Sequence, residues 1–132
     1  MHDILKEKAC AKIDQHTGDI IDISRRIYAN PETKFREYKA AGWISEFFDG
    51  RRYDVQKGIG GLETAFEIAH PHKSPGRTVA FIAEYDALPE LGHACGHNLI
   101  AGAAVGALLA FEDLKAELPG ILKLYGTPGE EG

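Results

Sequence analysis

Residues Leu88 to Gly102, LPELGHACGHNLIAG, contain the densest group of potential metal ligands in the sequence, because His93, Cys95 and His97 fall within five positions. A thiolate and an imidazole two residues apart can bind zinc or another borderline-soft divalent ion. Cys-x-His pairs also arise by chance, so a packed thiol beside two surface histidines is the alternative. Taken alone, the motif favours that alternative.

A second candidate group is the adjacent pair Glu130 and Glu131 in GTPGEEG. Two glutamates in a glycine-rich turn are usually no more than a solvated acidic turn. Near a Cys/His cluster they have a chemical use, since metal-assisted hydrolysis needs one carboxylate on the ion and another to take the proton from the attacking water. Consecutive residues of a turn can point in different directions and so fill both positions.

Two further hypotheses concern the same residues. Cys95 is a possible nucleophile with His97 as its base, but a cysteine hydrolase gives no role to Glu130 and Glu131 and therefore ranks below a metal site. Asp86, in EYDALP, either orients a ligating imidazole or holds the DALP turn through local hydrogen bonds.

The first half of the sequence predicts two helices and two short strands. Apolar residues recur every three or four positions over 4–27, which indicates one long helix, bent at Gly18 and ended by Asn30–Pro31. The segment REYKAAGWISEFFDG predicts a second amphipathic helix that stops at its final glycine. Short strands are expected over 53–57 and 62–69.

The second half predicts a strand, helix, strand unit. RTVAFIAEY is typical of a strand covered on both faces, and ILKLYG is a second buried strand. Between them we expect a helix from Asn98, as its N-cap, to about Leu118, with small residues that bring it close to the sheet. This βαβ unit indicates parallel strands and an α/β fold.

The loops at the carboxyl ends of parallel strands line the ligand crevice of such folds. EYDALP follows the first of these strands, GHACGHN precedes the helix, and GTPGEEG follows the second strand. We therefore expect Asp86, Cys95, His97, Glu130 and Glu131 to converge at one edge of the sheet.

Composition narrows the class of protein. The 132 residues contain 44% hydrophobic and 27% charged residues, which is typical of one globular domain or part of one. A net charge of −5 argues against nucleic acid or anionic membrane as a partner. Two distant cysteines, a charged amphipathic N-terminus and no long apolar stretch predict a cytoplasmic location.

Three stretches, NPETKFREYKAAGWI, AEYDALPELGHACGHNLIAG and GTPGEEG, resemble in order and spacing the N-terminal catalytic segment of a metallo-amidohydrolase and zinc carboxypeptidase family. That family includes aminoacylases, indole-acetyl-amino-acid hydrolases and aminobenzoyl-glutamate hydrolases. The asparagine at position 98 is more similar to the aminobenzoyl-glutamate and aminoacylase-like dipeptidase branches. The resemblance extends from about Ser24 to Gly132.

The resemblance implies a zinc-peptidase-like catalytic domain that holds two divalent ions, zinc or manganese, and cleaves the amide bond of an N-acyl or aminoacyl amino acid. Its metal ligands correspond to Cys95, His97 and Glu131. Glu130 corresponds to the general base, and Asp86 to the acidic residue that steadies the site. The first histidine of the motif is not expected to bind metal.

The sequence also departs from the family pattern. The family has further histidine ligands after the glutamate pair and a smaller dimerisation domain, whereas His97 is the last of six histidines here. We therefore expect residues 1–132 to form the N-terminal part of the catalytic domain, with an incomplete sheet. Alone, such a chain should hold metal weakly and be inactive, and homodimers are expected only for the complete enzyme. A non-catalytic remnant that complements a partner chain is the alternative.

Overall fold

The computed structural model describes residues 1–132 as four helices and four strands with short turns between them. The helices are α1 (His2–Gln15), α2 (Thr17–Ala29), α3 (Tyr38–Asp49) and α4 (His97–Ala110). The strands are β1 (Asp54–Lys57), β2 (Phe66–Ala69), β3 (Thr78–Ala83) and β4 (Ile121–Gly126). None of the helices combines the length and the apolar character needed to cross a bilayer.

The strands form one mixed sheet in the order β1-β2-β4-β3. β3 and β4 are parallel, with Phe81 opposite Leu124, and α4 connects them, so the predicted βαβ unit and the α/β class are confirmed. The other two neighbouring pairs are antiparallel. β3 is an edge strand, so the sheet is partial, as the sequence predicts.

The core lies between the helices and one face of the sheet. Alternate residues of β4 are buried, and Leu124 packs in a cluster with Ile44, Phe48 and Leu108. β3 and β4 have the composition of strands covered on both faces, but neither is buried along its whole length, in keeping with an incomplete sheet. Val79 and Ile82 of the edge strand are 53% and 47% exposed, and because side chains alternate along a strand they lie on opposite faces of β3, so both faces are partly exposed there.

The long N-terminal helix is interrupted at His16 and not at Gly18. His16 has φ −105° and ψ 12°, which is outside the helical region, and its backbone N–H bonds the carbonyl of Ile13. Its ring Nδ1 lies 3.2 Å from a carboxylate oxygen of Asp19 in the first turn of α2. The glycine lies inside α2, two residues after the interruption.

The predicted helix over 98–118 is shorter at its C-terminal end. α4 ends at Ala110, and a 3-10 turn over Lys115–Glu117 follows. The buried Lys115 ammonium donates to the carbonyls of Leu118 and Gly120, which fixes the irregular segment before β4. The strand predicted over 62–69 is likewise confined to 66–69.

Two details of α4 also differ from the prediction. Its N-cap is Gly96, in the left-handed conformation at φ +77°, while Asn98 donates its side-chain amide to Ser24 Oγ. The small residues Gly102 and Gly106 lie against Ile20 of α2, and an added Cβ at Gly106 would be 3.2 Å from that side chain. They bring the helix close to its helical neighbour and not to the sheet.

His70, which follows β2, is expected to make the free energy of unfolding depend on pH. Its Nδ1 accepts the N–H of His72 and its Nε2 lies 3.2 Å from the Glu112 carbonyl, so the neutral ring satisfies both partners. Burial, the main cause, lowers the pKa of His70. The unfolded chain therefore binds more protons below about pH 6.5, and the stabilising contribution of the neutral ring is lost as the pH falls.

We expect the free energy of unfolding to decrease between pH 7.5 and pH 5.5, with a smaller decrease in the His70→Gln variant. Urea unfolding monitored by circular dichroism at both pH values measures this difference. Equal decreases in the two proteins would show that His70 does not contribute to it.

Candidate metal centre

Three loops meet at the edge of the sheet where β3 and β4 end. Glu84 and Asp86 directly follow β3, Glu130 and Glu131 lie in the loop after β4, and His97 is the first residue of α4. Because β3 and β4 are parallel, their carboxyl ends lie at the same edge. The topology thus brings together residues that are up to 47 positions apart in the sequence.

His97 is the centre of this group, and its side chain is only 5% exposed. Its Nδ1 lies 2.9 Å from a carboxylate oxygen of Asp86 and 2.9 Å from the backbone carbonyl of the same residue. Both partners can only accept, so Nδ1 carries the proton. When the ring carries this proton alone, its lone pair is on Nε2, the arrangement in which histidine binds metal.

Nε2 of His97 faces three carboxylates. It lies 3.4 Å from Glu84 Oε2, 3.6 Å from Glu130 Oε2 and 3.7 Å from Glu131 Oε1. Two atoms that each bind one ion at about 2.1 Å with tetrahedral angles are about 3.4 Å apart. The spacing around this nitrogen is therefore that of ligands around a shared ion.

Asp86 connects His97 to the loop after β4. Its side chain is fully buried, and while one carboxylate oxygen accepts from His97, the other accepts the backbone N–H of Glu131 at 2.9 Å. These contacts join the imidazole of His97 and the backbone of Glu131 to one carboxylate. They are not confined to its own turn.

Glu84 is a member of the group that the sequence analysis did not include. The ligand atoms of Glu84, His97 and Glu130 lie within 4.8 Å of one another. A signal was available, because Glu84 and Asp86 are two residues apart at the end of a strand and so project to the same side.

Cys95 lies at the exposed side of the group, beside Glu131. A hydrogen bond to the Glu131 carboxylate, the largest cause, raises the pKa of the Cys95 thiol. The predicted ligands Cys95 and Glu131 are thus neighbours, but the compact cluster with His97 contains Glu84 and Glu130. His93 is buried outside that cluster, and neither ring nitrogen has a hydrogen-bond partner.

Comparison with known proteins agrees with the family resemblance. The chain is 41% identical to Xaa-Arg dipeptidase of Mus musculus, over 98% of this chain and 33% of the mouse protein. It is 31% identical to a p-aminobenzoyl-glutamate hydrolase protein of Escherichia coli, over 84% of this chain and 27% of that protein. No family model matches the chain.

The chain is a relative of these hydrolases. It spans about a third of their length. A solved structure of a dinuclear metal-binding peptidase of the M20 family from Bacillus subtilis has the same fold, with a TM-score of 0.80 at 23% identity over 89% of this chain and 36% of that one. The predicted zinc-peptidase-like fold and the family resemblance are therefore confirmed.

The residues present fit the divalent ions that the resemblance implies. No lysine or arginine forms an ion pair with Glu84, Asp86, Glu130 or Glu131, whose only nitrogen-bearing side-chain partner is the imidazole of His97. Carboxylates so close together repel one another unless a cation lies between them. One imidazole, several carboxylates and an adjacent thiol are groups that can bind a divalent metal ion.

Proposed function

We propose that this chain supplies part of a divalent-metal centre to a hydrolase that cleaves the amide bond of an N-acyl amino acid or a dipeptide. The observation that carries the proposal is the His97 ring, which Asp86 holds by Nδ1 so that Nε2 faces three carboxylates. The names of the relatives, a dipeptidase and an aminobenzoyl-glutamate hydrolase, support the same class of substrate.

Cys95, His97 and Glu131 are the proposed ligands of two ions, zinc or manganese, and Glu84 is placed to add a fourth ligand. The carboxylate oxygens of Glu84 and Glu131 lie 3.4 and 3.7 Å from His97 Nε2. When bound, such ions lower the pKa of water and polarise a carbonyl oxygen. Asp86 keeps the imidazole in the tautomer and orientation that binding requires.

Glu130 is the proposed general base. Its side chain is 48% exposed, and its Oε2 lies 3.6 Å from His97 Nε2, so the carboxylate reaches both the cluster and solvent. It accepts a proton from water as the water oxygen bonds the amide carbon. It then gives that proton to the amide nitrogen, which leaves as the amine when the carbon–nitrogen bond breaks.

Metal titration of the 132-residue chain tests the proposal. We expect isothermal titration calorimetry to detect weak binding of Mn²⁺ or Zn²⁺, because few ligands are shared between two ions that each need about four. The His97→Ala variant should bind at least about ten-fold more weakly, and His72→Ala, at an exposed loop histidine, should bind as the original chain does. Equal affinity in the His97→Ala and original chains would contradict the assignment.

Two alternatives are separated by other measurements. A catalytic cysteine needs a thiol whose pKa is lowered, whereas the contact with Glu131 raises the pKa of Cys95, so the cysteine-hydrolase alternative is disfavoured. A non-catalytic remnant would keep the metal site and hydrolyse nothing. Because the chain alone is expected to be inactive, an assay with N-acyl amino acids and aminobenzoyl-glutamate distinguishes that case only after residues 1–132 replace the aligned part of a complete relative.

A further inference from the structure

Glu37, in the NPETKFRE segment before α3, contacts the loop of the glutamate pair. Its side chain is buried with no exposed surface. One carboxylate oxygen accepts the backbone N–H of Gly129 at 2.8 Å, across 92 positions of sequence, and the other accepts the hydroxyl of Thr64 at 3.0 Å. A buried carboxylate is costly unless its oxygens find donors, and here each oxygen has one.

Gly129 fits tightly against the same segment. It has φ +67°, and an added Cβ would lie 2.7 Å from the Phe35 ring. Phe35 itself has φ +61°, an uncommon conformation for an aromatic residue. The ring and the Glu37 carboxylate thus hold one turn from two sides, and Glu130 and Glu131 follow directly.

The Glu37 contacts also reach the loop after β3. Tyr85, next to Asp86, donates its hydroxyl to the backbone carbonyl of Thr64. Burial, with the charges of Glu37 and Asp86 adding to it, raises the pKa of Tyr85, so this hydroxyl stays a donor. In addition, the Glu32 carbonyl accepts the N–H of Ala87 at 2.8 Å. One N-terminal segment therefore braces both loops of the candidate centre.

We propose that Glu37 is a positioning residue that fixes the loop presenting Glu130 and Glu131 by holding the backbone of Gly129. The effect on metal binding rests on the proposed function, whereas the hold on the loop does not. Glu37 touches no candidate ligand, so it acts only through the loop. A glutamine at this position could still accept from Gly129 with its carbonyl oxygen, while its amide would donate to the Thr64 hydroxyl.

Amide hydrogen exchange measured by NMR on the 132-residue chain without metal tests the hold directly. In Glu37→Ala we expect exchange at Gly129 to accelerate roughly ten- to a hundred-fold relative to Leu124 in β4, because a hydrogen bond to a carboxylate is lost. Glu37→Gln should restore protection to within about three-fold. The matched control Thr64→Val removes only the second partner of Glu37 and should leave Gly129 protected.

Unchanged protection of Gly129 in Glu37→Ala, or an equal acceleration at Gly129 and Leu124, would overturn the proposal. If the alanine variant does not fold, the same exchange experiment uses Glu37→Asp, because aspartate keeps the charge but is too short to reach the Gly129 N–H. A fully protected Gly129 in a folded Glu37→Asp chain would equally overturn it.

Mn²⁺ titration of the same variants separates this proposal from the metal proposal. We expect weaker Mn²⁺ binding in Glu37→Ala and recovery in Glu37→Gln, in parallel with the protection of Gly129. If the original chain binds no Mn²⁺ while Glu37→Ala still accelerates amide exchange at Gly129, the proposed function fails and the positioning role stands. If Mn²⁺ binds and the Glu37→Ala substitution leaves the exchange rate of the Gly129 amide unchanged, only the positioning role fails.

Discussion

The Glu130→Gln substitution should lower kcat by about 10²–10⁴-fold, the usual contribution of a general base, while leaving metal affinity unchanged. The amide is similar in size and polarity, but it cannot take a proton from water. The side chain is 48% exposed, so the change should be tolerated structurally. Cys95→Ala, by contrast, should weaken metal binding together with turnover, because it removes a proposed ligand.

A chimera provides an active background for this measurement. Residues 1–132 would replace the aligned third of mouse Xaa-Arg dipeptidase, to which the chain is 41% identical. The control is Glu46→Gln, at an exposed position of α3. Normal kcat in the Glu130→Gln chimera would remove Glu130 from the mechanism. Loss of metal in the same variant would instead make Glu130 a ligand, as its proximity to Glu84 and His97 allows.

The convergence of the loops could be predicted because it depends on topology. Apolar β-favouring runs on both sides of a helical segment indicate a βαβ unit, and parallel strands end at the same edge. This reasoning places Asp86, His97 and Glu131 near one another from the sequence alone. Glu84 was missed because its role depends on which side of the strand end faces the imidazole, and a sequence shows this only through alternation.

The burial of β3 was harder to predict. Val79 and Ile82 have the composition of covered residues, but cover comes from other elements, and these two residues, on opposite faces of β3, are both partly exposed. The composition of a strand indicates the environment in which its side chains would be stable. Whether those side chains are actually buried depends on the other elements of the fold.

The role of the NPETKFRE segment could not be derived from its own sequence. Glu37 has the same residue type as many exposed glutamates, and only the tertiary fold brings Gly129 to its carboxylate. Hydrogen bonds across 92 positions leave no periodic pattern in a single sequence. The family resemblance includes the NPETKFRE segment but gives no physical role for its residues.

Asp86→Asn should weaken Mn²⁺ binding by about 10–100-fold, the usual effect of removing the partner that orients a ligating histidine. Asp86 uses both carboxylate oxygens as acceptors, one for His97 Nδ1–H and the other for the Glu131 N–H. Asparagine has a single side-chain acceptor, so its amide group would face one of these two donors. Either the imidazole or the glutamate loop then loses its position.

Calorimetric titration with Mn²⁺ measures this affinity, and urea unfolding without metal measures the accompanying stability change, which we expect to be about 1–3 kcal/mol for one unsatisfied buried donor. Asp49→Asn, at the exposed end of α3, is the matched control and should change neither quantity. A loss of stability without a loss of affinity would show that Asp86 supports the fold but does not orient His97. Because the same carboxylate holds both loops, we expect the two losses to occur together.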